Sequence, residues 1–139
     1  MSSYAGDISP RDTWDKLQSD PEARLIDVRT QAEWQYVGLP DLSALEKQPV
    51  LVSWQVFPTM ARNEAFAQQL AAQGIDKDTP LLFLCRSGVR SKAAAELMTS
   101  LGYSQCWNIS DGFEGPLDDS RHRGDQAGWK AQALPWLQG

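Results

Sequence analysis

The sequence predicts an α/β fold with a mostly parallel central sheet and helices on both of its faces. Strand-like apolar runs alternate with helix-like segments along the chain, and the run at 81–84 is apolar at every position. Parallel strands are buried on both faces, so they read as continuous apolar runs. With 139 residues, 42% of them hydrophobic, the chain is long enough to bury one core. We therefore expect a single domain over residues 1–139.

The order of the elements follows from local signals. Ser9 followed by Pro10 is typical of a helix start, and Thr30 with Glu33 has the spacing of a capping box. We expect Asn63 to cap a later helix. Strands are predicted at 23–28, 49–57, 80–84 and 105–109, and helices at 10–17, 31–38, 63–74 and 91–101. Residues 111–128 are expected to form a loop, and 129–137 a final helical turn.

Composition excludes several classes of function. A net charge of -5 and a pI near 4.7 predict no binding to nucleic acid or to an anionic membrane. The sequence contains no apolar run of about 20 residues and no signal peptide, so a cytoplasmic protein is expected. Two cysteines and one histidine provide neither a disulfide scaffold nor a metal-binding cluster. We predict no metal and no cofactor.

The segment that follows the apolar run at 81–84 carries the chemistry. Cys85 stands at the carboxyl end of this strand, where ligands bind in open α/β sheets. A helix that starts near Ser91 would direct its positive end at the sulfur and lower the pKa of the thiol. Gly88 tolerates positive φ, so successive N–H groups can converge on an anion. The guanidinium groups of Arg86 and Arg90 can each bind an oxyanion through paired hydrogen bonds. The predicted reaction is attack by sulfur on a bound anionic electrophile.

These residues resemble a known family. Cys-Arg-Ser-Gly-Val-Arg-Ser at 85–91 resembles the active-site loop of the rhodanese family of sulfurtransferases. Residues 25–29, followed by Glu33 and Trp34, resemble the early strand and helix of that family. Gly-Leu-Pro at 38–40 is similar to a shortened form of its Gly-His-Ile-Pro segment, without the histidine. A further similarity is the glycine-containing turn after the last strand.

The resemblance implies a rhodanese-like fold and a specific mechanism. Cys85 would be the catalytic residue, taking the outer sulfur of thiosulfate or another small anionic sulfur donor to form a persulfide. Cyanide, a small thiol or a protein thiol would then accept that sulfur. The residues implied to bind the substrate are Arg86, Ser87, Gly88, Val89, Arg90 and Ser91. Asp27 and Arg29 are expected to be structural and to pair with the arginines of the loop or with Glu33.

Two alternatives belong to other classes of function. Phosphatases with a related loop place one residue more between cysteine and arginine than the four that separate Cys85 from Arg90. The shorter loop gives a smaller ring of N–H groups, which favours sulfur over a phosphoryl group. The other alternative is a non-catalytic or sulfur-carrier interaction module, against which the retained cysteine and arginines count.

Some residues have a simpler interpretation. Cys106 is expected to be a buried hydrophobic residue, with a disulfide to Cys85 as the alternative. His122, between two arginines, is expected to lie on the surface. Asp111 stands where the family commonly has a glycine, and would add negative charge near the mouth of the site. The sequence leaves open the physiological donor and acceptor, the oligomeric state, and whether the loop at 111–128 covers the site.

Overall fold

The structure is a computed structural model that describes residues 4–56, 59, 61–86, 88–110, 112–114, 128–129 and 134–137. Its helices are α1 (Pro10–Ser19), α2 (Gln31–Tyr36), α3 (Phe66–Ala71) and α4 (Val89–Ser100), with a 3-10 turn at Ser43–Leu45. Its strands are β1 (Gly6–Ile8), β2 (Arg24–Asp27), β3 (Leu39–Pro40), β4 (Val50–Leu51), β5 (Gln55–Val56), β6 (Ala61–Arg62), β7 (Leu81–Leu84), β8 (Cys106–Ile109) and β9 (Trp136–Leu137). Among these described residues, no helix has the length and apolar character needed to cross a bilayer.

Five strands form one parallel sheet in the order β1-β8-β7-β2-β4. The register places Asp27 of β2 beside Leu84 of β7, so these two central strands end at the same edge. Two short antiparallel pairs, β3 with β9 and β5 with β6, lie outside this sheet. The predicted fold class, a mostly parallel sheet combined with helices, is confirmed.

The central strands bury both of their faces. Successive residues of a strand point to opposite sides, so β2 and β7 contribute alternate side chains to two cores. One core lies against α3 and α4 and contains Ile26, Phe83, Phe66, Leu70, Ala94, Ala95 and Met98. The other lies against α1 and the C-terminal segment and contains Leu25, Leu82, Leu84, Leu17, Phe113 and Trp129. Helices therefore cover both faces, as the continuous apolar run at 81–84 predicts.

Two of the helices begin at the predicted residues. Ser9 Oγ accepts a hydrogen bond from the N–H of Asp12 at 3.0 Å, and Pro10 occupies the first turn of α1. Thr30 Oγ1 accepts from the N–H of Glu33 at 3.3 Å, and Glu33 Oε1 accepts from the N–H of Thr30 at 3.2 Å. This capping box stabilises the first turn of α2 and fixes the backbone that carries Glu33.

The middle of the chain differs from the prediction in two places. α3 begins at Phe66 with Ala65 as its cap residue, whereas the sequence predicts Asn63 in that position. The Asn63 Oδ1 accepts from the N–H of Ala65 at 3.1 Å, so its side chain closes a turn before the helix instead of capping it. The single strand predicted at 49–57 is divided into β4 and β5. Its last residue lies outside the described part of the chain.

The C-terminal segment ends as a strand, so the helical turn predicted over 129–137 is wrong at its end. β9 pairs antiparallel with β3. Pro135 has no N–H and disfavours a helix at this point. Its carbonyl oxygen instead accepts from Trp129 Nε1 at 2.7 Å, which ties the buried indole to the strand. Residues 130–133 lie outside the described chain.

Candidate active site

Cys85 lies immediately after β7, at the edge where the central parallel strands end. All four residues of β7 are buried, and Cys85 itself is 1% exposed. The N–H of Val28, the residue after β2, donates to the carbonyl of Leu84 at 2.8 Å. The hydrogen bonding between β2 and β7 therefore continues up to the residue before Cys85. The sheet therefore fixes the backbone that carries Cys85, at the edge where ligands bind in open α/β sheets.

A backbone N–H contacts the sulfur directly. The Gly88 N–H donates to Cys85 Sγ at 3.1 Å. Gly88 has φ 106°, in the left-handed region, which a side chain would strain. α4 begins at the next residue, so the positive end of a helix of 12 residues lies beside the thiol. A hydrogen-bond donor and the start of a helix therefore both face the sulfur. Ser87 lies outside the described residues.

The segment 112–114 packs against the backbone of the loop that carries Cys85. The N–H of Phe113 donates to the Cys85 carbonyl at 2.8 Å, and the N–H of Glu114 donates to the Arg86 carbonyl at 3.0 Å. Gly112 permits this approach, because a Cβ there would lie 2.5 Å from the Cys85 carbonyl oxygen. The glycine-containing turn is visible in the sequence, but its packing against the loop is not. Asp111 lies outside the described residues.

Arg90 and Glu33 form an ion pair that joins α4 to α2. Arg90 Nη1 and Nη2 donate to the two carboxylate oxygens of Glu33 at 2.7 and 2.9 Å. Burial opposes ionisation of Glu33, but the hydrogen bonds and charge of Arg90 outweigh it and lower the pKa of this carboxyl. For Arg90 the balance is similar: burial lowers the guanidinium pKa, and Glu33 together with Cys85 raises it above its ordinary value. Glu33 therefore contributes most to keeping Arg90 charged at this partly buried position.

Asp27 and Arg29 form a fully buried pair under the loop. Arg29 Nε and Nη2 donate to the Asp27 carboxylate at 2.8 to 3.2 Å, and Nη2 also donates to the Gly38 carbonyl at 2.7 Å. The guanidinium lies 4.2 Å from the ring centroid of Phe113. The sequence predicts a structural role with pairing to the arginines of the loop or to Glu33. In the structure these two residues pair with each other, and Glu33 pairs with Arg90.

A polar path leads from Cys85 to the edge of the sheet. Cys85 Sγ lies 3.2 Å from Ser91 Oγ, and Ser91 Oγ donates to Asn108 Oδ1 at 2.5 Å. Asn108 Nδ2 donates to Asp7 Oδ1 at 3.0 Å. The sequence prediction includes Ser91 but misses Asn108 and Asp7. The available signal was an amide within the otherwise apolar pattern of β8.

The remaining predicted site residues lie on the outer side of the loop. Arg86 is exposed, and Val89 is 76% exposed at the start of α4.

Both cysteines are free, and Cys106 is fully buried, which confirms its interpretation as a core residue. Cys106 pairs in register with Leu81, at the opposite end of β7 from Cys85. Four residues of strand correspond to about 13 Å, too far for a disulfide.

A cavity of about 620 Å³ lies between α2, α3 and β4, and its lining does not include Cys85. Its lining includes Trp34 and the carboxamides Gln31, Gln35, Asn63, Gln69 and Gln73. None of its lining side chains is ionisable. Within the described residues, no group of three or more His, Cys, Asp and Glu residues could hold a metal ion. His122 lies outside those residues. The thiol, the converging N–H group and the arginines place the candidate site at Cys85.

Comparison with known proteins agrees with the fold. The crystal structure of Rv0390 from M. tuberculosis is 47% identical and superposes with a TM-score of 0.91 over 99% of this chain and 100% of that one. The chloroplastic rhodanese-like domain-containing protein 4 of Arabidopsis thaliana is 29% identical over 94% of this chain, which corresponds to 25% of that protein. The fold and these relatives define a rhodanese-like protein.

The family can be stated more narrowly. A sequence model of the family described as the STR4 middle domain matches residues 5–139. The protein RC0915 of Rickettsia conorii is 43% identical over 88% of this chain and 89% of its own length. The chain belongs to the STR4 middle-domain family of rhodanese-like proteins.

Proposed function

We propose that the protein is a sulfurtransferase in which Cys85 carries a sulfane sulfur from an anionic donor to a nucleophilic acceptor. The observation that supports this most strongly is the placement of Cys85 Sγ 3.1 Å from the Gly88 N–H, at the start of α4. In this reaction Cys85 attacks as the thiolate, and the N–H group and the start of the helix face the charge that the sulfur then carries. As a thiolate, Cys85 needs no general base.

The proposed reaction has two balanced steps. In the first, the Cys85 thiolate attacks the outer sulfur of thiosulfate, a new S–S bond forms, and the old S–S bond breaks. Sulfite leaves with the electron pair of that bond, and Cys85 becomes a persulfide. In the second, cyanide or an acceptor thiolate attacks the outer sulfur and Cys85 leaves as thiolate. Neither step requires a cofactor or an external oxidant.

The two arginines of the loop take different parts in this proposal. Arg90 has both terminal nitrogens bonded to Glu33, so it contributes charge and helps fix α4 against α2. Arg86 is exposed beside Cys85, where its guanidinium can meet the sulfonate end of a donor. Val89 is also exposed, at the start of α4, where a protein that carries an acceptor thiol can contact the loop. The net charge of -5 disfavours nucleic acid as a partner.

Thiocyanate production from thiosulfate and cyanide tests the proposal. We expect activity in the wild type, none in Cys85→Ser, and nearly unchanged activity in Cys106→Ala, the matched control at the other buried cysteine. A folded wild type without activity toward thiosulfate or a persulfide donor would support the non-catalytic interaction module. Cys85-dependent release of phosphate from an aryl phosphate would support the phosphatase.

A further inference from the structure

A chain of hydrogen bonds links an exposed carboxylate at the edge of the sheet to the sulfur of Cys85. Asp7 lies on β1, the edge strand, beside Asn108 of β8, and the two side chains are joined at 3.0 Å. Asn108 contacts Ser91 of α4 at 2.5 Å, and Ser91 contacts Cys85 at 3.2 Å. We call these residues, Asp7, Asn108, Ser91 and Cys85, the relay.

The capacity of each group to donate or accept hydrogen bonds determines which atom is the donor at each step of the relay. A carboxylate only accepts hydrogen bonds, so the amide nitrogen of Asn108 faces Asp7 and its oxygen faces Ser91. Tyr4 donates to the same Asp7 oxygen at 2.9 Å, and this hydrogen bond raises the pKa of Tyr4, so the phenol remains a donor. Because an amide oxygen also only accepts, the single proton of the Ser91 hydroxyl is donated to Asn108.

This direction has a consequence for Cys85. With its proton donated to Asn108, Ser91 presents only lone pairs to the sulfur, 3.2 Å away. A thiol can donate to those lone pairs, whereas a thiolate faces them with no proton between the two atoms. We propose that Asn108, oriented by Asp7, is a positioning residue that favours the thiol form of Cys85 in the resting protein.

Ionisation of Cys85 then requires the relay to change. The thiol proton leaves to solvent, and the Ser91 hydroxyl turns from Asn108 toward the sulfur. The turned hydroxyl stabilises the thiolate but gives up its hydrogen bond to Asn108. This inference rests on the proposed function, in which Cys85 reacts as a thiolate.

The other groups around Cys85 oppose the relay or are paired. The Gly88 N–H, the start of α4 and the charge of Arg90 all favour the thiolate. The charged side chains near Cys85 include the pair Asp27 with Arg29, the pair Glu33 with Arg90, and the exposed Arg86. At the other end of the relay, Lys92 Nζ lies 6.0 Å from the ring centroid of Tyr4, and the charge of Glu96 also acts on Tyr4. The relay therefore favours the thiol form of Cys85, whereas Gly88, the start of α4 and Arg90 favour the thiolate.

The burial of Asn108 supports a role beyond packing. Asn108 is 4% exposed within β8, where apolar side chains form the two cores. A buried amide is unfavourable unless its polar atoms are bonded, and here both ends are bonded, one to Asp7 and one to Ser91. An aliphatic residue could fill the same strand position but could not take the Ser91 proton.

The pH dependence of Cys85 alkylation tests the relay. The variants are made in the full chain carrying Cys106→Ala, so that iodoacetamide reports one thiol. In Asp7→Ala the acceptor that fixes the Asn108 amide is gone, so Asn108 can turn its Nδ2 toward Ser91, which releases the Ser91 proton to the sulfur. We expect the alkylation pKa of Cys85 to fall by about one unit, the size of one hydrogen bond. Asn108→Leu, which leaves the Asp7 charge in place, should lower it similarly.

Ser91→Ala separates the relay from the loss of a charge. In a Ser91→Ala background, Asp7→Ala should leave the pKa nearly unchanged, since the hydroxyl that responds is gone. An equal fall with and without Ser91 would show a simple charge effect and overturn the proposal. An unchanged or raised pKa in Asp7→Ala or Asn108→Leu would overturn it as well. If Asn108→Leu does not fold, Asp7→Ala alone and combined with Ser91→Ala still decides the outcome.

Alkylation requires no sulfur donor, so this test is independent of sulfur transfer. A fall in pKa without persulfide formation would support the relay and refute the proposed function. Persulfide formation without a fall in pKa would refute the relay and leave the function standing.

Discussion

Among the described residues, two groups contact the sulfur of Cys85, and two others act on it through charge or hold its backbone. The Gly88 N–H donates to it, Ser91 lies beside it, and the charge of Arg90 acts on it. Behind the loop, the N–H of Phe113 bonds to the Cys85 carbonyl. Cys85 is thus held in part by backbone groups, whose positions depend on Gly88 and Gly112.

Gly112 provides a test of that dependence. A Cβ at this position would lie 2.5 Å from the Cys85 carbonyl oxygen and 2.6 Å from that of Arg86. Gly112→Ala should therefore destabilise the fold and slow alkylation of Cys85. Left-handed φ alone costs about 1 to 2 kcal/mol, and the forced movement of the backbone adds about 1 to 3 kcal/mol. Urea unfolding measures the first effect and the rate of iodoacetamide reaction the second.

Gly74→Ala is the matched control. Gly74 also has positive φ, 75°, but a Cβ there meets no atom within 4 Å. It should show only the smaller cost and an unchanged alkylation rate. Equal losses of stability in the two variants would contradict the close approach of residues 112–114 to the loop.

The elements that surround the site are joined by side chains whose partners lie far apart in the sequence. The capping box at the start of α2 fixes Glu33, which binds Arg90 of α4 with two hydrogen bonds. The end of β2 contributes the buried Asp27–Arg29 pair, and Arg29 reaches the carbonyl of Gly38 after α2. α2 is therefore fixed to both the sheet and α4.

The Glu33–Arg90 pair predicts how stability depends on pH. The folded pKa of Glu33 lies below its ordinary value of 4.5, so its contribution is complete above 4.5 and is lost as the pH falls through the folded pKa. Glu33→Gln should lower the free energy of unfolding by about 1 kcal/mol at neutral pH and lose less on acidification than the wild type does. Urea unfolding at neutral pH and well below 4.5 measures both effects.

Glu64→Gln, at an exposed carboxylate, is the control for the removal of one charge. Its acid dependence should match that of the wild type. A difference between wild type and Glu33→Gln that is the same at both pH values would contradict the assigned role of the pair.

At the scale of the whole molecule, the parallel sheet places Cys85 at one edge, and other segments of the chain pack around that edge. The C-terminal segment contributes the fully buried Trp129, whose indole bonds to Pro135 before β9 pairs with β3. Phe113 links the same core to the Arg29 guanidinium. Residues from almost the full length of the chain thus support the candidate site.

The sequence predicts those parts of this arrangement that depend on local signals. The apolar run at 81–84, the Ser9 cap and the Thr30 capping box depend only on neighbouring residues, and all are present in the structure. The same holds for the position of Cys85 after its strand. Partners that meet only through folding could not be predicted in this way.

The missed features are contacts between distant residues. Asp7 and Asn108 are 101 positions apart, and Arg90 meets Glu33 across 57 positions. β9 has only two residues, too few to give a periodic pattern, and forms because β3 provides a partner for its backbone. The loop residues are readable from the sequence, but the groups that orient them are not.

Intact-protein mass after incubation with thiosulfate tests whether Cys85 forms a persulfide. The wild type and Cys106→Ala should each gain one sulfur atom, cyanide should remove it, and Cys85→Ser should gain none. That result would establish Cys85 as the carrier of the transferred sulfur. A wild type with reduced Cys85 that gains no sulfur from thiosulfate or a persulfide donor, or a gain that persists in Cys85→Ser, would contradict the proposed function.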